Sequence, residues 1–334
     1  MTQKKVFIAT GLYPPQSGGP ATYSKFLEER LPALGFAVSV LPYRRVRRVP
    51  KILRHAAYFF MSIGYAADAD IVYALDTVSV GFPAVLAAMV TGKPFVVRVP
   101  GDYAWEQGRQ RFGVTEELDE FQTKKYGWKL ELLRRAQRFV VNRARVVVVP
   151  SEYMKQLVSA WTNPAKVHRI YTSIALPPAY ELPQDRPQGF LVVSFGRKVP
   201  WKGFEALERV VSQEPRWKLK IFSELPHAQA MGWLKTADVY VNNSTYEGLS
   251  HQLVEALSLG TPIIATDVGG NPEVVKDAGL LVPAQDDEAL YQAIRNVEAD
   301  RVAASERAVR GLVRAKEFNI DSALTRLSTL LNTL

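Results

Sequence analysis

Four charged side chains in this sequence are spaced to hold a ligand that carries a diphosphate between two hydroxylated ends. Arg197 and Lys202 lie in FLVVSFGRKVPWKG (190–203), and Glu247 and Glu255 in NNSTYEGLSHQLVEALSLGTP (242–262). The first pair follows the apolar run from Phe190 to Phe195, which reads as a buried strand, and a glycine turn at Gly196. A guanidinium fork and an ammonium point charge framing a strand-to-helix turn can clamp a diphosphate. The second pair follows Val239, Tyr240 and Val241 and straddles the start of a helix. Ser250 or His251 caps that helix, Leu253, Val254, Ala256, Leu257 and Leu259 recur at helical spacing, and Gly260 then Pro262 end it. First-turn N–H groups make such a start an anion site. On one continuous helix the two carboxylates would stand roughly 80° apart. With Glu247 on the loop, each can face a different end of the ligand. A nucleotide sugar has that layout: ribose, diphosphate, sugar. The plainer alternative is a solvated acidic pair, which the helix dipole favours by itself. A further turn, TDVGGNPE (266–273), has Gly269 and Gly270 where a backbone can come close to a ligand.

These turns need parallel strands to hold them in line, and both halves of the chain supply strand, turn and helix. Residues 5–9 read as a strand, TGLYPPQSGG (10–19) as a turn, and a helix follows from Pro20 or Ala21 to Leu34, ended by Gly35. Gly18 and Gly19 would let the backbone approach a phosphate. The pattern is not G-x-G-x-x-G and no acid follows the second strand at the ribose-binding distance, which disfavours a dinucleotide dehydrogenase. ADIVY (69–73) and ADVYV (237–241) echo one another, each a helix-to-strand turn entering a parallel strand. The expectation is two similar doubly wound, Rossmann-like α/β domains. Asp68-Ala69-Asp70 also spells the D-x-D metal signature of another class of sugar transferase, but the turn explains it better, and no metal site is expected. The strand from residue 94 ends in Pro100-Gly101-Asp102, and in an open α/β sheet the carboxyl ends of strands face the ligand. Asp102 therefore either orients a hydroxyl of donor or acceptor, or caps a helix or pairs with Arg98; Tyr103, Trp105 and Arg109 shape the acceptor side.

A chain of 334 residues with 47% hydrophobic content is long enough for two full cores, and without cysteine it can build neither disulfides nor thiolate metal sites. Val6 to Ala9 is too brief for a signal-peptide core. The longest uncharged stretch, Thr77 to Gly92, falls short of the ~20 apolar residues that span a bilayer. The net charge of +9 is divided as +12 over residues 1–180 and −3 over 181–334. Six cations lie within 44–54, before the aromatic run Tyr58-Phe59-Phe60, and a second basic helix at about 123–143 carries Lys124, Lys125, Lys129, Arg134, Arg135, Arg138 and Arg143, with Trp128, Leu132, Leu133, Phe139 and Val140 for burial. Such segments are a solvated face, a nucleic-acid patch or a membrane-surface element. Two of them in one half favour peripheral contact with an anionic membrane through 44–54 and 124–143, worth roughly 3 kcal/mol if half of the first six cations reach the surface.

Together, R-x4-K after a strand, E-x7-E about fifty residues later, GTPIIAT (260–266) and GGNPE (269–273) resemble the retaining nucleotide-sugar glycosyltransferases of family 4. The resemblance covers nearly the whole chain and is strongest from 190 to 283. It implies the GT-B fold, with two parallel sheets facing across a cleft. The domains would be 1–172 for the acceptor and membrane, a proline-rich linker at 173–189, 190–318 for the donor, and a last helix at 319–334 packing back on the first domain. It further implies a UDP-, GDP- or ADP-sugar donor whose diphosphate sits on Arg197, Lys202 and the backbone of Gly248, Leu249, Ser250 and His251. Glu255 would accept from the ribose, Glu247 would lie beside the transferred hexose, and Gly18-Gly19 would face the donor. No cofactor is implied. The acceptor would be lipid-linked or a glycan, at the cytoplasmic face of the inner membrane, with no nucleic acid bound. Two features depart from the family: Gly101-Asp102 stands where many members have a histidine, and the segment between Phe222 and Leu234 lacks the usual further helix and strand, with the glycine loop that helps to hold the base. Epimerisation of a nucleotide sugar, or non-catalytic binding of one at a membrane surface, are the alternative activities.

Overall fold

The computed structural model describes residues 3–16, 19–50, 53–172, 176–177 and 179–334. They form two compact units, Met1–Tyr171 with Asp321–Leu334, and Thr172–Ile320.

The first unit runs β1 (Lys4–Thr10), α1 (Gly19–Arg30), β2 (Phe36–Pro42), α2 (Arg54–Ala67), β3 (Ile71–Ala74), α3 (Gly81–Thr91), β4 (Phe95–Arg98), α4 (Tyr103–Arg111), α5 (Leu118–Thr123), α6 (Trp128–Arg143), β5 (Val146–Val149), α7 (Glu152–Ser159) and β6 (Val167–Arg169). Its six strands are all parallel, in the order β2-β1-β3-β4-β5-β6. Val6–Ala9 and the four valines of β5 are buried, the continuous apolar run expected of a parallel sheet covered on both faces. The first helix ends earlier than the sequence pattern suggests: α1 stops at Arg30 and a 3₁₀ turn carries the chain to Leu34 and a left-handed Gly35. The basic helix expected over about 123–143 begins later, as α6 at Trp128, and Lys124 and Lys125 lie in the connection that follows the short α5.

The second unit runs β7 (Phe190–Phe195), α8 (Phe204–Val211), β8 (Trp217–Phe222), α9 (His227–Thr236), β9 (Val239–Asn242), α10 (His251–Leu259), β10 (Ile263–Thr266), α11 (Asn271–Val275), β11 (Leu280–Val282), α12 (Asp287–Ala299) and α13 (Arg301–Ala315). Five parallel strands lie in the order β11-β10-β9-β7-β8. The chain leaves β7 for β8 on one side and returns to β9 on the other, so the order reverses between β7 and β9. The carboxyl ends of strands flanking such a reversal splay apart and leave a crevice.

Helix α14 (Ile320–Asn332) adds Leu324, Leu327 and Leu331 to the core of the first unit, against Val6, Ile8, Leu27 and Phe36. The echoed turns have one physical cause. Asp70 accepts the Lys5 N–H at 2.8 Å and Asp238 the Leu191 N–H at 2.6 Å, each tying the turn before an inner strand to the strand beside it. Asp68, the other acid of D-x-D, pairs with the Lys5 ammonium.

Candidate active site

Two turns of the second unit meet at the reversal of strand order. The turn after β7 carries Arg197, Lys198 and Lys202, and Asn242 at the end of β9 leads into a turn that runs to Leu249. Gly203 lets them touch. Its φ of +63° suits glycine, and a Cβ there would lie 2.1 Å from the Asn243 carbonyl oxygen. The Trp201 carbonyl accepts the Thr245 N–H at 2.8 Å, and Asn243 Nδ2 donates to the Gly203 carbonyl at 3.0 Å. The result is the closest charged contact of the site: Lys202 Nζ stands 2.5 Å from Glu247 Oε1, with both side chains 12% exposed. Ser244 Oγ (2.8 Å) and Asn242 Nδ2 (3.2 Å) donate to the same oxygen. Burial pushes the Glu247 carboxyl up, but the Lys202 charge and these donors outweigh it and hold the carboxyl below its ordinary range. Glu247 is thus a fixed anion at neutral pH, and its ammonium partner keeps further N–H donors.

From the other side, Gly269 and Gly270 pack on the same turn. Gly270 donates its N–H to the Glu247 carbonyl at 2.9 Å. The close approach read into Gly-Gly from the sequence is therefore to the backbone of Glu247 and Gly248. Asn242 Nδ2 also donates to Ser250 Oγ at 3.0 Å, and Ser250 accepts the Leu253 N–H, so Ser250 and not His251 is the cap of α10. Arg197 is exposed on its turn.

Glu255, one turn into α10, is 9% exposed and meets a residue that the motifs did not single out. His227 Nε2, at the head of α9, lies 2.8 Å from Glu255 Oε1. The hydrogen bond to Glu255 raises the imidazole pKa, against burial, and the carboxylate charge adds to the rise. Asn242 and Ser244 are the other polar groups that sequence reading passed over. Their signal was the switch from an apolar strand to the polar run Asn242-Asn243-Ser244 at its carboxyl end.

Residues 6–172 match the glycosyl transferase 4-like domain, and residues 183–300 match glycosyl transferases group 1. The chain belongs to the glycosyltransferase group 1 family. Among curated glycosyltransferases it is similar to the O-antigen chain mannosyltransferase B of Escherichia coli, 33% identical over 31% of this chain and 26% of that protein. It is also similar to the lipopolysaccharide core biosynthesis glycosyltransferase LpsE of Rhizobium meliloti, 30% identical over 39% of this chain and 45% of that one. The matched segments thus span between about a quarter and just under half the length of these two relatives. In fold the chain is similar to the sucrose-phosphate synthase of Thermosynechococcus elongatus, with a TM-score of 0.79 at 18% identity over 99% of both chains. It is likewise similar to Anabaena HepE, crystallised with UDP-glucose, with a TM-score of 0.75 at 16% identity over 99% of this chain and all of that one. These neighbours share its GT-B architecture of two parallel-sheet α/β domains.

Within this glycosyltransferase fold the remaining candidates separate. Asp102 is fully buried, and both of its oxygens are taken: Oδ1 by the Trp105 N–H (3.0 Å) and Gln137 Nε2 (2.9 Å), Oδ2 by Gln122 Nε2 (2.8 Å). It is the cap of α4 and a brace to α6, not a free carboxylate for a substrate hydroxyl. Gly18 lies outside the described residues; Gly19 opens α1. Lys51 and Ile52 also lie outside them. Arg134 is turned inward, donating to the Phe121, Gln122 and Lys124 carbonyls, while Lys124 pairs with Glu116 and Glu120. Trp128 and Leu132, expected in the core, are 74% and 58% exposed.

Proposed function

We propose that this chain is a retaining hexosyltransferase that moves a hexose from a UDP-, GDP- or ADP-hexose to a hydroxyl of a glycan or lipid-linked acceptor. The observation that carries the reading is the buried Lys202–Glu247 contact at the strand-order reversal, where the capped start of α10 supplies the neighbouring dipole. In this scheme the bond between the anomeric carbon and the β-phosphate oxygen breaks, and charge grows on the leaving diphosphate. Lys202, Arg197 and the backbone of 248–251 meet that charge without reorganising. Glu247, anionic and pinned through Oε1, stands beside the sugar and stabilises positive charge at the anomeric carbon. The acceptor oxygen bonds to that carbon on the face the diphosphate leaves, and its proton passes to the leaving phosphate oxygen. HepE, crystallised with UDP-glucose, and the relatives named for O-antigen and lipopolysaccharide core synthesis support this choice of donor and acceptor class. The test is a panel of UDP-, GDP- and ADP-hexoses added to the purified chain. One of them is expected to raise the unfolding midpoint, as a ligand does in proportion to ln(1 + [L]/Kd), and to be hydrolysed slowly with release of nucleotide. If none does either, the assignment falls.

The same reading places the acceptor step at a membrane surface on the cytoplasmic side. No helix among the described residues is long and apolar enough to cross a bilayer. The outer face of α6 exposes Trp128 and Leu132 among Lys129, Arg135 and Arg138, an apolar pair in a basic field that suits an anionic interface. The full chain is expected to sediment with phosphatidylglycerol vesicles at low salt and to be released at high salt. Trp128→Ser with Leu132→Ser should weaken that binding; equal sedimentation of variant and parent rejects this surface.

A further inference from the structure

The segment between β8 and α9 is short. Only Ser223 to Pro226 separate β8 from α9, and this brevity brings the first residue of α9, His227, to the side of α10. There it meets Glu255, whose side chain is 11% exposed and whose only ion-pair partner among the described residues is the imidazole, at 2.8 Å. A carboxylate so far out of water needs a hydrogen-bonding partner to keep its charge and its rotamer. His227 supplies it through Oε1, leaving Oε2 and a second lone pair of Oε1 to accept.

We infer that His227 is a positioning residue for nucleoside recognition: it holds the Glu255 carboxylate in the orientation that accepts the vicinal 2′- and 3′-hydroxyls of the donor ribose. The inference rests on the proposed nucleotide-hexose donor and on the ribose role that the family resemblance implies for Glu255. It assigns a use to the short connection, which sets His227 beside Glu255. The imidazole touches the carboxylate, not the reacting atoms, so its removal affects donor binding and leaves the bond-breaking step unchanged.

The experiment uses calorimetry of the full chain with UDP, GDP and ADP, and with their 2′-deoxy counterparts. The tightest ribonucleotide is expected to exceed its deoxy form in affinity by roughly tenfold, the size of one charge-assisted hydrogen bond. His227→Ala should bring that ratio close to one and raise the donor KM, with kcat within about twofold of the parent, the split that follows from loss of uniform binding. His227→Gln, which keeps an N–H donor, should restore most of the ratio. His227 is half-exposed at a helix end, so neither substitution opens the core. Glu255→Ala separates the two levels of the argument. If it leaves the ratio unchanged, the ribose role of Glu255 fails. If it abolishes the ratio while His227→Ala does not, the role of His227 alone is overturned. A fall in kcat with unchanged KM in His227→Ala also overturns it.

Discussion

Lys202→Ala is expected to lower turnover by about 10²–10³-fold, the usual loss when one preorganised group facing developing negative charge is removed. The same substitution is expected to destabilise the second unit by about 3–5 kcal/mol, because it leaves a buried carboxylate without its counter-charge. The two effects can be told apart through Glu247. In the parent, the carboxyl is held below its ordinary value of 4.5, so it contributes stability that is present above that pH and lost as pH falls through the folded value. Without Lys202, burial, already the largest single influence, is no longer outweighed by the ammonium, and the folded value is expected to rise above the unfolded one. The sign then reverses: the variant is penalised most near neutrality, and the gap in unfolding midpoint between variant and parent narrows as pH falls below about 4.5. Adding Glu247→Gln to Lys202→Ala removes the stranded charge and should recover most of the midpoint at pH 7. It should not recover turnover. A double variant that regained both would reduce Lys202 to a structural partner of Glu247 and remove it from the diphosphate.

The sequence carried the positions of the four charged residues because each sits at a strand-to-helix junction, and such junctions are marked by apolar runs, glycines and caps. What it could not carry is which junctions are neighbours. Lys202 and Glu247 are 45 residues apart and meet only because β9 pairs with β7 on the side away from β8, a fact of strand order and not of local pattern. The contact of His227 with Glu255, 28 residues apart, hides for the same reason. Asp102 misleads in a different way. A carboxylate at the end of a strand suits a substrate hydroxyl and a helix cap equally well until its partners, Gln122 and Gln137, arrive from 20 and 35 residues away. Trp128 and Leu132 share one helix with Val140, but the face that α6 buries is the one carrying Leu130, Arg134, Gln137, Val140 and Val141, which leaves the two at the surface. The charge asymmetry between the halves was fully legible in composition, but which cations are spent on internal carbonyls, as Arg134 is, required the packing.

Gly269→Ala should show that Glu247 works only if its turn is gripped from behind. The turn after β9 is held between two glycine contacts, Gly203 on one side and Gly269-Gly270 on the other, and side-chain atoms fit in neither. At Gly269 the backbone has a φ of +54°, and a Cβ would fall 2.1 Å from the carbonyl oxygen of Glu247. Backbone cannot swing aside as a side chain does, so the turn itself must move. A displacement near 1 Å at a catalytic group can reduce rate about 10²-fold, and that is the expected fall in kcat/KM. Left-handed backbone by itself adds a strain of about 1–2 kcal/mol for a residue with a Cβ, so a loss of stability alone would not prove the point. Gly92→Ala provides the control: Gly92 has a φ of +67° and nothing within 4 Å of its would-be Cβ. It carries the strain without the collision, and it ends α3 in the other unit. Both variants should lower the unfolding midpoint, and only Gly269→Ala should lose turnover. Equal activity in the two would mean that the position of Glu247 tolerates the shift, and that the glycine pair is there to spare the fold and not to aim the carboxylate.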